Sequence, residues 1–559
     1  MSESRAIVPG QRLGPGLQRR ALARVGEVLW HAVYGSALYR ASLRGRRPES
    51  LALNPGNPWP GDAARGEALL RRQYRFGGQT VTGADGPPWR QQGVSPTWVE
   101  EMHGFAWLSD LEAVGTAAAR GAARDAVAGW IDRCGGWEPI VWRADVLGRR
   151  VVAWLTHAAF LLHGADADLE ARALASLGEQ LRHLGRVAAD APDGDRRFAA
   201  AKGLVFGALC LPGGERQLAQ GLRLLEHELG RQVLADGGHV ARSPSAHFRV
   251  FQDIVETRSA LISAGRSVPD TLRRAIDRMA PMLRFFRYGD GGLALFNDSN
   301  EEDPAAIDVA LGLGEATGKA PSRAPQSGFE RLTARRTLVL VDVGGPPVVA
   351  SRHTHAGPLS FEFAVGTERL IVNCGAYAGD RPAWREAQRA SAAHSTVTVD
   401  DINSVVIDAD GAVARPPHVT CSRHEDEGNV WLEATHDGYR PAFGVVHRRR
   451  LYLSAEGDDL RGEDSLSGPD GKAFAVRFHL HADVMASLVG DGAGALLRLP
   501  GGAGWRLRAA GCAMQLAESV YLGRRGEMKR CEQVVLTGPL KGDTTAIKWA
   551  LSEVGEGDR

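Results

Sequence analysis

The scarcities of this 559-residue sequence are its first guide. Its six cysteines (Cys134, Cys210, Cys374, Cys421, Cys512 and Cys531) stand far apart with no C-x-x-C pair, which argues against a disulfide framework or a zinc knuckle. Lysine is rare: 61 of the 67 basic residues are arginine, which stocks the surface with planar forks suited to carboxylates. An excess of either charge is missing too. With 66 acidic residues the net charge is +1, so nucleic acid is not expected as the partner. Long apolar runs are absent: residues 151–162 carry His157 and fall short of the roughly 20 residues a membrane span needs. Residues 1–26 lack the apolar core and small-residue cleavage site of a secretory signal. A soluble cytoplasmic protein is the expectation, with the periplasm left open. At 44% hydrophobic and 24% charged, the chain has material for real cores, which excludes wholesale disorder.

What is present is a change of period near the middle. Residues 1–95 open with a basic amphipathic stretch and turn rich in Pro, Gly and Trp around NPGNPWP at 54–60, an irregular lead-in. From 96 to 312 the pattern is helical, as in Leu272, Ile276, Met279 and Leu283 after a start at Pro269-Asp270. Turn signals at 192–195, 212–214 and 236–238 divide successive helices, which suits a bundle, a solenoid or an α/α toroid. A Gly/Ala/Pro/Ser-rich linker covers 313–328, and from 329 to 559 the period is two. Strands are predicted at 337–343, 359–365, 370–374, 396–400, 431–435, 450–453, 475–481, 505–509 and 546–554. Helices first and strands afterwards mean two segregated domains, not an α/β repeat.

Histidines mark the candidate sites. DGGHVARSPSAH at 236–247 reads as a turn opening a helix, whose free N–H groups can receive a carboxylate beside His239, Arg242 and His247. The plainer alternative is a capped start, with Ser243 as N-cap and Pro244 at the first position. In SRHTHAGPLSF at 351–361, His353 and His355 are two apart. On a strand they would face one way and either share a metal or divide into a ligand and a catalytic imidazole. His394 precedes an alternating strand, and His479 and His481 share a face with Arg477 as packing or surface residues.

These pieces, in this order, resemble the heparinase II/III-like polysaccharide lyases over roughly residues 95–480. That family joins an α/α toroid (an incomplete helical barrel) to an antiparallel β-sandwich. Its signatures are a DGxxxExSxxYH-like segment, then HxHADxLSF, an IVDxG-like strand and AHNT. The corresponding stretches are 236–247, 353–361, IVNCG at 371–375 and AHST at 393–396. The resemblance implies cleavage of a uronic-acid-containing glycan, of glycosaminoglycan or alginate type, by β-elimination. The sugar carboxylate is neutralised, a base removes the C5 proton and an acid protonates the leaving oxygen. It implies His353 as the catalytic imidazole; from this sequence's own residues, His247 would share acid–base duty, and His239, Arg242 and Arg196 would contact the substrate. It also implies a structural zinc at His355, Asn373 and His394, weakened because an amide replaces an acidic ligand.

Departures from the family pattern set the alternatives. Ala246 stands where the family has its tyrosine, so Tyr377 or Tyr439 would supply a phenol from the sandwich. Gly194-Asp195-Arg196 replaces a G-N-H segment, and Gly357 replaces the aspartate of H-A-D. The first function is therefore an acidic-glycan lyase. The second is a catalytically inactive relative that binds or scaffolds an acidic glycan or envelope component. A glycoside hydrolase is the third, needing two carboxylates astride a sugar bond, with Asp236 and Asp253 as the pair.

Overall fold

The computed structural model describes residues 30, 32–346, 352–379, 381–408, 411–490 and 492–555. The basic N-terminal stretch lies outside the described residues. After a short helix, Ala37–Leu43, the helix Ala63–Leu70 and the hairpin Gln73–Phe76/Gln79–Thr82 pack onto the helical domain through Leu69, Tyr74 and Phe76.

Helices dominate from Pro96 to Gly314. The helix Asp195–Cys210 is central, packed against Ala144–Thr156, Glu215–Gln232 and Pro244–Ser263. Two glycines let it approach its neighbour: a Cβ on Gly203 would lie 2.4 Å from the Gly148 Cα. This close crossing lies at the middle of the helix that Asp195 opens. The helix Asp270–Phe285 buries Leu272, Ile276, Met279 and Leu283, the four positions its spacing predicts. Among the described residues no helix is long and apolar enough to cross a membrane.

The C-terminal half forms two antiparallel sheets. The inner sheet runs Ala513–Tyr521, Lys529–Pro539, Ala473–Leu480, Glu368–Val372, Phe361–Val365, Thr337–Asp342, Phe329–Ala334 and Arg323–Ala324, with Val397–Val399 also pairing Ala473–Leu480. The outer sheet runs Met485–Val489, Gly494–Arg498, Gly504–Ala510, Thr544–Glu553, Asp459–Ser467, Val446–Leu453, Asn429–His436 and Val419–Asp426. All nine predicted strands have a counterpart here. The architecture is thus an α/α toroid followed by a β-sandwich.

Burial explains why the inner strands read as continuous apolar runs. Every residue of Thr337–Asp342 and Phe361–Val365 is buried. Leu338 and Leu340 join the helical core, while Val339 and Val341 join the sandwich core. The inner sheet is therefore covered on both faces, and the outer sheet alternates buried with exposed. Polar contacts lock the two domains together. Glu362 accepts hydrogen bonds from Tyr288 Oη at 3.1 Å and Leu295 N at 3.2 Å, and Asn300 Nδ2 donates to Leu522 O at 2.8 Å.

Candidate active site

The segment carrying the two adjacent histidines is not a strand. Residues 352–360 turn repeatedly: Leu359 has φ +58°, and Ser360 N donates to Gly357 O at 3.0 Å. His353 and His355 consequently meet different partners, which corrects the shared face expected from their spacing.

His353 lies at the toroid–sandwich junction. Its Nδ1 bonds Asp298 Oδ2 at 2.7 Å, and its Nε2 accepts from Arg352 Nε at 3.3 Å. Nδ1 therefore carries the proton and Nε2 the lone pair. Asp298 follows Asn297, and both have left-handed backbones at φ 59° and 49°. Two consecutive residues in that sparse region are costly, and the Asn297 Nδ2 bond to Arg242 O at 3.0 Å helps to hold them. Burial pushes the Asp298 carboxyl up, but the His353 hydrogen bond and nearby cations outweigh it and hold the group well below the usual carboxylate range. Gln388 Nε2 reaches Asp298 Oδ1 at 3.4 Å, and Gln388 Oε1 takes the Tyr377 N–H. Tyr377 thereby joins the His353 network, and its ring stacks on Trp384 at 5.9 Å.

A second carboxylate approaches from the toroid. Asp195 opens its helix after Gly194, and its Oδ1 lies 3.8 Å from His353 Nε2. Its Oδ2 accepts from Arg249 Nε at 2.8 Å, with Arg352 Nη2 at 3.6 Å. Against the desolvation of burial, these two arginines and His353 hold Asp195 ionised, well below the ordinary range. Arg352 has 46% of its side chain exposed and is the most accessible cation of this group.

The other expected residues are drawn elsewhere. Arg196 donates to both Glu100 oxygens at 2.9 Å, so its charge is held by the toroid wall. Arg242 is buried, bonded to Ser327 O at 2.7 Å, Gly345 O at 2.5 Å, Gly328 O at 3.1 Å and the Asp342 carboxylate. It clamps toroid to sandwich rather than waiting for substrate. The helix start after Gly238 is likewise closed: Ser243 Oγ caps Ala246 N and Ser299 Oγ takes Ser245 N. The capped reading holds there. His239 bonds Gln232 Oε1 at 3.0 Å and accepts from Ala241 N at 3.2 Å, and burial pushes it down to about 3. His247 donates to Met279 O at 3.0 Å inside the helical core, pushed down to about 4 by burial. Tyr439 is buried in the sandwich and donates to Val397 O at 2.7 Å. Asp236 holds Ser327, and Asp253 pairs with Lys202 at 3.1 Å, so neither carboxylate of the hydrolase pair is free.

Of the three expected zinc ligands, the structure brings two together and turns the third away. His355 Nδ1 and His394 Nε2 are 3.1 Å apart, and His394 Nδ1 bonds Ala390 O at 2.8 Å. Asn373 turns away, donating to Glu362 Oε1 at 3.2 Å and accepting from Ser395 N at 3.0 Å. Among the described residues no group of three or more His, Cys, Asp or Glu side chains is placed to hold a metal ion. Burial keeps both imidazoles neutral, His394 pushed down to about 4 and His355 well below the ordinary histidine value.

The family described as heparinase II/III-like, C-terminal, matches residues 316–550. FtsZ-localized protein C of Caulobacter vibrioides (strain NA1000 / CB15N) is 36% identical over 572 aligned positions, covering 94% of this chain and 96% of that one. The chain belongs to the heparinase II/III-like family. The crystal structure of heparinase III superposes with a TM-score of 0.71 at 14% identity, over 97% of this chain and 92% of that chain. A heparan sulfate lyase HepC mutant from Pedobacter heparinus gives 0.61 at 18% identity, over 97% and 91%. These likenesses establish the toroid-plus-sandwich fold of this family member.

Sequence reasoning passed over Asp298, Arg249, Arg352 and Gln388. Arg352 adjoins His353 and was within reach. Asp298 sits in an NDSN turn at 297–300 whose two amides and acid were a usable signal at the end of the toroid.

Proposed function

We propose that this family member cleaves a uronate-containing glycan by β-elimination between toroid and sandwich, with His353 as the base. The observation that supports this most is the 2.7 Å bond from His353 Nδ1 to Asp298, which orients the ring and leaves Nε2 as the basic atom. Arg352 is the fork for the sugar carboxylate. Pairing with it makes the C5 proton more acidic and draws Arg352 away from Nε2. Nε2 then takes the C5 proton, the C4–O bond breaks, and a C4–C5 double bond forms. Tyr377, whose backbone N–H is tied to Asp298 through Gln388, is assigned the proton that the leaving oxygen receives.

Two observations favour a second reading, binding without turnover. Ionised Asp195 opposes another carboxylate close to Nε2, and Ala246 is buried with no phenol to offer. Mass spectrometry of glycan products separates the cases: elimination leaves an unsaturated end one water lighter than a hydrolysis product, and a binder leaves intact polymer. From the name of the Caulobacter relative we carry over localisation with FtsZ, which co-imaging of a fluorescent fusion tests.

A further inference from the structure

A trough of about 720 Å³ lies on the solvent face of the outer sheet, with the inner sheet between it and the toroid. Strand register sets His424, Trp431, Tyr452, Arg461, Ala550 and Arg508 in one row across six strands. The first three rings form a continuous platform, with centroids 5.6 and 5.2 Å apart. Trp431 is 37% exposed, although its neighbours Val430 and Leu432 already supply the sandwich core. Folding does not account for an indole left in water on this face.

The rest of the row is equally specific. Ala550 opens a floor between Arg461 and Arg508, two strands apart and hence roughly 10 Å from each other by ordinary strand spacing. Arg461 covers Tyr452 at 5.7 Å and pairs with Asp459. Arg508 is exposed and has no ion-pair partner among the described residues. Two residues further along each strand runs a row of alternating charge. In it Arg450 bonds Glu433 at 2.5 Å and lies 3.6 Å from Glu463, which Lys548 approaches at 3.8 Å.

We propose that this face is a second glycan-binding surface, for an oligosaccharide carrying an anionic substituent. Sugar rings lay their apolar faces on Trp431 and Tyr452. Hydroxyls donate to Glu433 and Glu463 and accept from Arg450, a pairing that a polyhydroxylated ligand can use in both directions. The anionic substituent goes to Arg508, the unpaired guanidinium, with Lys548 beside it. A nucleic-acid backbone fits less well, because Glu433, Glu463 and Asp459 face the same surface and oppose its regularly spaced phosphates. The proposal does not rest on turnover at the toroid–sandwich junction, since a catalytically silent chain keeps this face.

The test is titration calorimetry of the full chain with hyaluronan, heparan sulfate and polygalacturonate hexasaccharides. Cellohexaose and an oligo-dT serve as comparison ligands, and hydrogen–deuterium exchange locates the binding. At least one acidic hexasaccharide should bind and protect Val419–Asp426, Asn429–His436 and Val446–Leu453. Trp431→Ala should weaken that binding about tenfold or more, as loss of an aromatic anchor does. Arg508→Glu should weaken it as well, while His353→Ala leaves it unchanged. Both sheet variants alter exposed side chains, so an unchanged Tm verifies their folding. The proposal is overturned if no acidic hexasaccharide binds, if protection is confined to the toroid–sandwich junction and Trp431→Ala binds normally, or if oligo-dT occupies the face in preference to every sugar. Silent elimination with intact binding here would sink only the junction reading.

Discussion

Replacing Arg449 by Met puts the strongest demand on this account of the sandwich. Arg449 is buried between the sheets. It donates to Asp464 through Nε at 2.7 Å and Nη2 at 3.0 Å, and through Nη1 to Leu359 O at 2.7 Å and Ser395 O at 2.9 Å. Those carbonyls belong to the segments that also carry His353 and His394. Met fills much of the volume but leaves the Asp464 carboxylate with His447 at 2.8 Å and Trp549 at 3.0 Å alone. An uncompensated buried charge of this kind costs about 3–5 kcal/mol. For a domain of this size that is roughly 6–20 °C in the sandwich transition, readable by calorimetry. Trp549→Phe removes one donor to the same carboxylate and should cost about 1.5–3 kcal/mol. In the native chain the Asp464 pKa is held below its unfolded value, chiefly by Arg449 working against burial. Its stabilisation is thus present above the unfolded value of about 4 and lost as pH falls through the folded one. The deficit of Arg449→Met should be full at pH 7 and shrink in acid. A loss below about 1 kcal/mol, the scale of an exposed pair, would refute the reasoning.

Further predictions concern the junction and the site. Arg242→Met should loosen the toroid–sandwich clamp, lowering the Tm and opening residues 315–322 to limited proteolysis. Lost glycan affinity with an unchanged Tm would contradict its assignment as a clamp. Asp298→Asn should keep KM and cut kcat by about 10²-fold or more, because the imidazole loses the partner that fixes its tautomer. His247 is neutral in the fold with a pKa pushed down to about 4, whereas the unfolded chain protonates near 6.5. Stability should therefore fall by about 1.4 kcal/mol per pH unit from this group as pH drops between those values. His247→Leu should flatten that slope in urea titrations at pH 7, 6 and 5, and an unchanged slope would count against the burial argument.

Local pattern carried most of the fold. Leu272, Ile276, Met279 and Leu283 repeat every three to four residues because one face of their helix is buried, and that period survives in sequence. Strands such as Asp459–Ser467 and Ala513–Tyr521 were not legible. Their charged and small residues blur the alternation, and Ala513–Tyr521, at the edge of its sheet, buries few of its positions. The site was half legible for the same reason. His353 announces itself by its neighbours, but its partner Asp298 stands 55 positions away and meets it only through docking of the two domains. Arg242 misled because an arginine beside a helix start looks like an anion receptor. Only tertiary structure reveals that Asp342 and three carbonyls already fill its donors.

The central claim is that His353, oriented by Asp298, removes a C5 proton from a uronate. Ultraviolet absorbance of the unsaturated uronyl product, followed for the native chain, His353→Ala and Asp298→Asn on a panel of uronate glycans, tests it most directly. The account predicts a rising signal for the native chain, abolished in His353→Ala and strongly slowed in Asp298→Asn. A signal that persists in His353→Ala, or none from the native chain on any glycan it binds, would contradict it.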